Sequence, residues 1–165
     1  MKTDLRPRLA ALGRDYLVIL GWLALLAAVF VPLYLSGVRP FDGLSTAGGD
    51  LLIALLTVLP AGAYLTIGEA GRHRATWGKR RSGLTVATTG GQRPGLPRIV
   101  ARNVVKLLPW QLAHLAGSRL AAGDDGTVLL VATYALAGLS IALLLVRRDR
   151  AALHDLVTGT RVVRA

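Results

Sequence analysis

The sequence predicts an all-α membrane protein, a four-helix transmembrane bundle in which one helix is amphipathic, with a small β element at the cytoplasmic face. Apolar residues make up 53% of the 165 residues, and the mean hydropathy is +0.50. They are gathered in long uncharged runs, and the basic residues lie between these runs. Because the length suits one domain, residues 1–165 are predicted to form a single membrane domain.

Three runs without a charged residue predict transmembrane spans at 16–35, 51–67 and 127–146. At about 1.5 Å per residue, the first run covers roughly 30 Å, the thickness of a bilayer core. The second run has 17 residues and is near the lower limit for a span. Pro60 at its middle predicts a kink, which a bundle tolerates because a neighbouring helix can satisfy the freed carbonyl.

Residues 98–117 predict an amphipathic helix. At about 100° per residue, Val and Leu side chains fill one arc of this helix. The opposite, polar arc holds Arg102, Asn103, Lys106, Trp110 and His114.

The distribution of charge predicts the topology. The N-terminus, the loop 68–97 and the tail 147–165 are basic, whereas the loops 36–50 and 118–126 each carry one base against two acids. The positive-inside rule places the basic segments in the cytoplasm and the two loops outside, which requires an even number of crossings. The amphipathic helix would then be the fourth span, and both termini would be cytoplasmic.

A fourth span at 98–117 has an energetic cost. A charged residue at the centre of a span costs about 2.5–3.5 kcal/mol on insertion scales. Arg102 and Lys106 lie in the first two turns, from which their side chains can reach the inner headgroups. In the alternative, the helix lies flat on the inner membrane surface.

Two short β-favouring stretches, 84–88 and 160–163, lie within the basic segments. Pairing of the two would form the small sheet at the membrane surface.

Composition and motifs exclude several classes of function. A net charge of +11 suits nucleic acid or anionic lipid headgroups, and the apolar runs favour lipid over nucleic acid. The absence of cysteine excludes disulfides, thiolate metal sites and cysteine nucleophiles. No catalytic signature or phosphate-binding loop occurs, so we expect neither an enzyme nor a metal or other cofactor.

Motifs in order along almost the whole chain resemble the RDD family of bacterial membrane proteins. The similar residues are Arg8 and Asp15, Trp77-Gly78-Lys79-Arg80 with Gly83-Leu84 and Val86, Arg102-Asn103 with Lys106 and Pro109, Leu153-His154-Asp155, and Gly159-Thr160-Arg161-Val162-Val163. Trp77 departs from the family pattern, in which a proline is common at this position. The resemblance implies a multi-pass protein of the bacterial inner membrane. It implies little about activity, although cation/proton exchange has been proposed for some members.

The acids near the predicted span ends are candidates for an ion or proton site, since membrane-embedded acids often have that role. Asp15 lies where the first span begins, and Glu69 lies at the inner end of the second. The alternative makes Asp15 a counter-ion for Arg102, Lys106 or a base in 72–81, and lets Glu69 hold the basic loop. Arg8 and Asp15 are roughly 10 Å apart along one helix face, so each is expected to pair elsewhere.

The remaining candidates lie in the basic segments. Lys79 and Arg80 are expected to be solvated or to face lipid phosphate. His154 beside Asp155 could shuttle protons, although adjacent residues on a helix do not face each other. Asp155 is therefore expected to cap or form an ion pair that docks the tail.

Two functional hypotheses follow from these residues. The first is transport of a small ion or solute. Because four spans alone form only a small pathway, transport would require a homo-oligomer. The second is a membrane module that recruits or stabilises a membrane protein partner through its basic cytoplasmic face.

Overall fold

The computed structural model describes residues 5–165, which form seven α-helices, one π-helical segment and two β-strands. The elements in chain order are α1 (Leu5–Leu35), α2 (Thr46–Ile53), the π-helical segment (Ala54–Val58), α3 (Leu59–Ala70), α4 (Trp77–Arg81), β1 (Leu84–Thr88), α5 (Leu96–Ala121), α6 (Thr127–Val146), α7 (Leu153–Val157) and β2 (Thr160–Arg164).

Three helices in the described part of the chain are long and apolar enough to cross a membrane: Leu5–Leu35, Thr46–Ala70 and Thr127–Val146. Their outward surfaces are covered by apolar side chains; Leu17, Val128 and Val146 are 64%, 77% and 82% exposed. Lipid tails, unlike water, can cover such surfaces at no hydrophobic cost. The prediction of three long apolar helices is confirmed.

Helix α1 begins well before the first uncharged run. It starts at Leu5, whereas the sequence predicts a span from residue 16. Arg8 and Asp15 therefore lie on the same helix as the span, and both are buried, together with Ala11 between them. Through this buried face, the first three turns of α1 pack against the rest of the molecule.

The second apolar helix accommodates Pro60 through a local change of hydrogen bonding. The five residues Ala54–Val58 are π-helical, and the amide of Leu59 donates to the carbonyl of Ala54. Proline has no N–H to donate to the carbonyl four residues earlier, which is that of Leu56. The indole Nε1 of Trp22 on α1 donates to this carbonyl at 2.7 Å. The prediction that a neighbouring helix satisfies the freed carbonyl is confirmed.

Helix α5 runs antiparallel to the α2–α3 helix along most of its length. Arg119 pairs with Asp50 at 3.0 Å near one end, and Asn103 Nδ2 donates to Thr66 Oγ1 at 3.2 Å near the other. Between these contacts, His114 Nδ1 lies 3.5 Å from Thr57 Oγ1.

Of the polar arc predicted for 98–117, Arg102, Asn103 and His114 contact these neighbouring helices, whereas Trp110 is 38% exposed. On the other side, Val104 and Leu108 are 60% and 39% exposed. With its charged residues, α5 is not among the three apolar helices, so the fourth crossing stays a prediction.

The two β-favouring stretches pair as predicted. Strands β1 and β2 form an antiparallel two-stranded sheet in which Leu84 faces Arg164, Val86 faces Val162 and Thr88 faces Thr160. All five residues of β1 are buried. The sheet joins the segment after α4 to the C-terminal tail, at the end of the bundle where α1 begins and α6 ends.

Candidate functional site

Five buried charged side chains meet where α1, α3, α4, α5 and α7 converge. We call this set the ionic cluster. Its members are Asp15, Glu69, Lys79, Arg102 and Asp155. Each is at most 7% exposed, so the charges satisfy one another and not solvent.

Asp15 joins α1 to α4. Its carboxylate accepts hydrogen bonds from Thr76 Oγ1 at 2.6 Å and from the backbone N–H of Gly78 at 2.8 Å. Tyr64 donates from its hydroxyl at 2.7 Å, and Lys79 Nζ lies 3.7 Å away. The ion-pair alternative for Asp15, with a base in 72–81, is the arrangement found.

The sequence at the start of α4 explains this close approach. Thr76 is the N-cap residue, and its Oγ1 accepts from the N–H of Lys79. A Cβ on Gly78 would lie 2.6 Å from Asp15 Oδ1 and would also collide with the carbonyl of Ala11. Glycine at position 78 therefore permits α4 to contact α1 directly.

Glu69 lies between two basic side chains. Lys79 Nζ lies 2.9 Å from Oε1, as an ion pair without hydrogen-bond geometry. Arg102 Nε donates to Oε2 at 3.1 Å. Glu69 thus connects α3 to α4 and α5, in agreement with the hypothesis that it holds the basic loop.

Lys79 and Arg80 differ in position. Lys79 is buried within the ionic cluster, so the expected solvated or lipid-facing position is wrong for this residue. The reason is that the helix begun by Thr76 turns Lys79 toward Asp15 and Glu69. Arg80, one position later, is exposed.

Asp155 docks the tail, as the sequence predicts. Its carboxylate pairs with Arg102 and accepts from Thr160 Oγ1 at 3.2 Å. It also accepts from the N–H of Ala152 at 3.3 Å, which caps the first turn of α7. Burial alone would raise the pKa of Asp155, but the charge of Arg102 outweighs it and holds the pKa below its ordinary value.

His154 is mostly enclosed, with a side chain 15% exposed and Nε2 3.8 Å from Asp155 Oδ2. Burial lowers the pKa of its imidazole to about 3, and the charge of Arg102 adds to this effect. The ring is therefore neutral at physiological pH.

Arg8 lies beside the cluster, and its side chain binds backbone carbonyls of the tail. Its guanidinium donates to the carbonyl of Arg150, and to that of Val162 at 2.7 Å. Asp15 thus pairs elsewhere, as predicted, whereas Arg8, within the described residues, donates to backbone carbonyls and not to an acid.

A cavity of about 450 Å³, which we call the membrane cavity, opens between α1, α3, α5 and α6. Most of its lining is apolar, including Ile19, Leu23 and Leu136. Asp15, Lys106 and His154 line it at the end nearest the ionic cluster. The cavity therefore joins an apolar chamber to charged groups, an arrangement typical of ligand sites.

Asn103 and Lys106 follow Arg102 on α5, and neither belongs to the ionic cluster. Asn103 donates to Thr66, and its Oδ1 is buried without a hydrogen-bond partner in residues 5–165.

No group of three His, Asp or Glu side chains within residues 5–165 is placed to hold a metal ion.

Sequence reasoning missed the neutral members of the site. Tyr64, Thr76 and Thr160 each donate to a cluster carboxylate. Thr76 carried a detectable signal, since a threonine before a short basic helix is a common N-cap. Tyr64 carried none, because Asp15 is distant in sequence. Thr160 lies within the family motif at 159–163, but its contact with Asp155 was not predicted.

Comparison with known proteins identifies a family for the chain. No curated protein and no solved structure matches the chain significantly. The model of the RDD family matches residues 3–159, nearly the whole sequence and all five residues of the ionic cluster. The chain therefore belongs to the RDD family.

Proposed function

We propose that this protein transports a small ion or solute across the membrane through the membrane cavity. The observation that carries the proposal is the enclosure of about 450 Å³ among apolar helices, ending at Asp15, Lys106 and His154. Charged groups at the end of an apolar chamber supply the polar contacts by which a solute is held. The role is one of binding and movement, without a cofactor or catalytic step.

The transport proposal includes a topology of four crossings with both termini in the cytoplasm of a bacterial cell. The antiparallel contacts of α5 along α2–α3 support α5 as the fourth span, because they extend from Asp50 to Glu69. The basic residues gathered at the end where α1 begins support a cytoplasmic position for the ionic cluster.

One chain of this size encloses a small chamber, so we propose that the transporting unit is a homo-oligomer. The exposed apolar faces of the membrane helices leave surface for a second copy as well as for lipid.

A second candidate is a membrane module that recruits a membrane protein partner through its basic face. The pairing of each cluster carboxylate with Lys79 or Arg102 favours it, because such acids are not free to bind a moving cation. Exposed bases at the same end would form the docking face; they include Arg80, Arg81, Arg98, Arg148 and Arg161.

Reconstitution into liposomes tests the transport proposal. Purified protein should accelerate movement of Na⁺, K⁺, H⁺ or a small anion down an imposed gradient. Ala137→Phe, which places a ring in the membrane cavity, should reduce that flux, whereas Ala142→Phe on the exposed face of the same helix should not.

Absence of flux for all of these solutes would contradict transport, and recovery of one stoichiometric membrane partner would then support the module. Asp15→Asn distinguishes an ion-binding role of Asp15 from a structural one, and the exposed Asp149→Asn is its control. Lost flux at normal expression indicates an ion site, whereas lost expression indicates a structural ion pair.

A further inference from the structure

The membrane cavity has an opening toward the surrounding bilayer. Leu12 and Tyr16 of α1 and Ile141 of α6 line the cavity and are also 41%, 43% and 57% exposed. Side chains that face both the chamber and the outside mark its rim. A hydrocarbon chain can therefore enter between α1 and α6 without crossing a polar barrier.

Lys106 is the cation that faces this chamber. It lines the membrane cavity and also the smaller pocket of about 100 Å³ beside Arg8, Arg102 and Asp155. No hydrogen bond or ion pair holds its ammonium among residues 5–165. A partly buried cation without a direct ion-pair partner is unfavourable, so a ligand that supplies one would be bound strongly.

The charges around Lys106 favour an anion over a cation. Three acids lie near four bases at this end of the cavity. The acids are Asp15, Glu69 and Asp155, and the bases are Lys79, Arg102, Arg8 and Lys106. The carboxylates are already occupied, since Asp15 accepts three hydrogen bonds and Glu69 and Asp155 pair with cluster bases. A cation would have to displace Lys79 or Arg102, whereas an anion at Lys106 would neutralise an excess charge.

We propose that the ligand of the membrane cavity is an anionic amphiphile, with its acidic head group at Lys106 and one hydrocarbon chain among the apolar lining residues. A volume of about 450 Å³ suits a single chain, and ligand sites commonly enclose about 300–1,000 Å³. The acidic group is a carboxylate if the source is a free fatty acid and a phosphate if it is a membrane lipid. The inference rests on the proposed function in treating this cavity as the ligand site, and it names the class of ligand.

Binding measurements in nanodiscs of phosphatidylcholine test the inference. The probes are palmitate, palmitoyl lysophosphatidate and hexadecanol, which share a chain and differ in head group. We expect at least one acidic probe to bind about tenfold or more tightly than hexadecanol. Preference for palmitate identifies the fatty-acid source, and preference for lysophosphatidate identifies the lipid source. Equal binding of hexadecanol, or no binding of any probe, would overturn the inference.

Variants localise the head group. Lys106→Met keeps the aliphatic stem and should weaken binding of the acidic probe at least about tenfold, whereas Lys106→Arg should retain it. Arg98→Met removes an exposed charge from the same helix and should have no effect. If Lys106→Met does not fold, Ala137→Phe should weaken binding while Ala142→Phe does not.

Unchanged binding in Lys106→Met or Ala137→Phe would contradict the site. Binding of the acidic probe, without transfer of that probe across the bilayer and without flux of the tested ions, would contradict transport alone. Flux of another solute without such binding would contradict this inference alone.

Discussion

Arg102 on α5 forms an ion pair with Asp155 on α7, although the whole of α6 separates them in the chain. The same guanidinium donates to Glu69 on α3 at 3.1 Å and to Thr160 on β2 at 2.8 Å. One buried side chain thus fixes three elements at the end of the bundle, and 1% of Arg102 is exposed.

Replacement of Arg102 should unfold this end of the protein. Arg102→Met leaves Glu69 and Asp155 buried without one of their cations, and breaking a buried pair costs about 3–5 kcal/mol. Thermal unfolding in detergent should show a large loss of stability. Arg98→Met, one turn earlier and exposed, should change stability by less than about 0.5 kcal/mol. Equal melting temperatures for the two variants would mean that the cluster does not hold the tail.

Gly78→Ala should separate α4 from α1. The added Cβ meets Asp15 Oδ1 at 2.6 Å and the backbone of Ala11, neither of which can move freely inside a packed helix. Overpacking of this kind costs about 1–3 kcal/mol. Gly13→Ala is the matched control, because a Cβ there meets nothing within 4 Å in the described structure and should be neutral or stabilising. Comparable stabilities of the two variants would contradict the close approach.

The hydrogen bond from Trp22 to the carbonyl of Leu56 should depend on Pro60. Trp22→Phe leaves that carbonyl without a donor in a lipid environment, at a cost of about 1–3 kcal/mol. Pro60→Ala restores a backbone N–H that can donate instead, so Trp22→Phe should cost less in that background. A double-mutant cycle measures the coupling. Additive effects would show that the indole bond does not replace the helical one.

The stability of the docked tail should fall below neutral pH. The pKa of His154 is lowered to about 3 from an ordinary 6.5, chiefly by burial. Between these values the unfolded chain binds a proton that the folded chain excludes, so stability decreases as the pH falls from about 6.5. Asp155, whose pKa is also lowered, adds a further loss only near and below its ordinary value of 3.8.

His154→Gln should therefore flatten the melting temperature between about pH 6.5 and pH 5. The exposed His73→Gln is the matched control. If the melting temperature of His154→Gln changes with pH as steeply as that of the unmodified protein, folding does not prevent protonation of the imidazole.

Local patterns were sufficient to predict most of the helices and the sheet. The uncharged run 127–146 coincides with α6, because no competing signal occurs within it. Helix α1 extends about three turns ahead of the predicted span, since a run defined by lack of charge stops at Asp15 and cannot include a charged buried turn.

The ionic cluster is predicted by residue and only in part by partnership. Asp15 and Glu69 are singled out from their positions at span ends and Asp155 from its place beside His154 in the tail. Their joint pairing with Lys79 and Arg102 depends on how five helices pack. Lys79 was misplaced because a run of basic residues normally faces solvent or lipid, and only the turn begun by Thr76 buries it. The membrane cavity depends on the spacing of α1 from α6, for which a single sequence carries no signal.

Whether α5 crosses the membrane decides on which side of the bilayer the loop after α5 and the C-terminal tail lie. The sequence contains no cysteine, so single cysteines introduced at Asp42, Thr89, Asp124 and Ala165, outside the long helices, are clean probes for a membrane-impermeant maleimide. With four crossings, the positions 42 and 124 should be labelled in intact cells, and 89 and 165 only from the cytoplasmic side. Labelling of position 124 from the same side as 89, with 165 on the opposite side, would contradict the account.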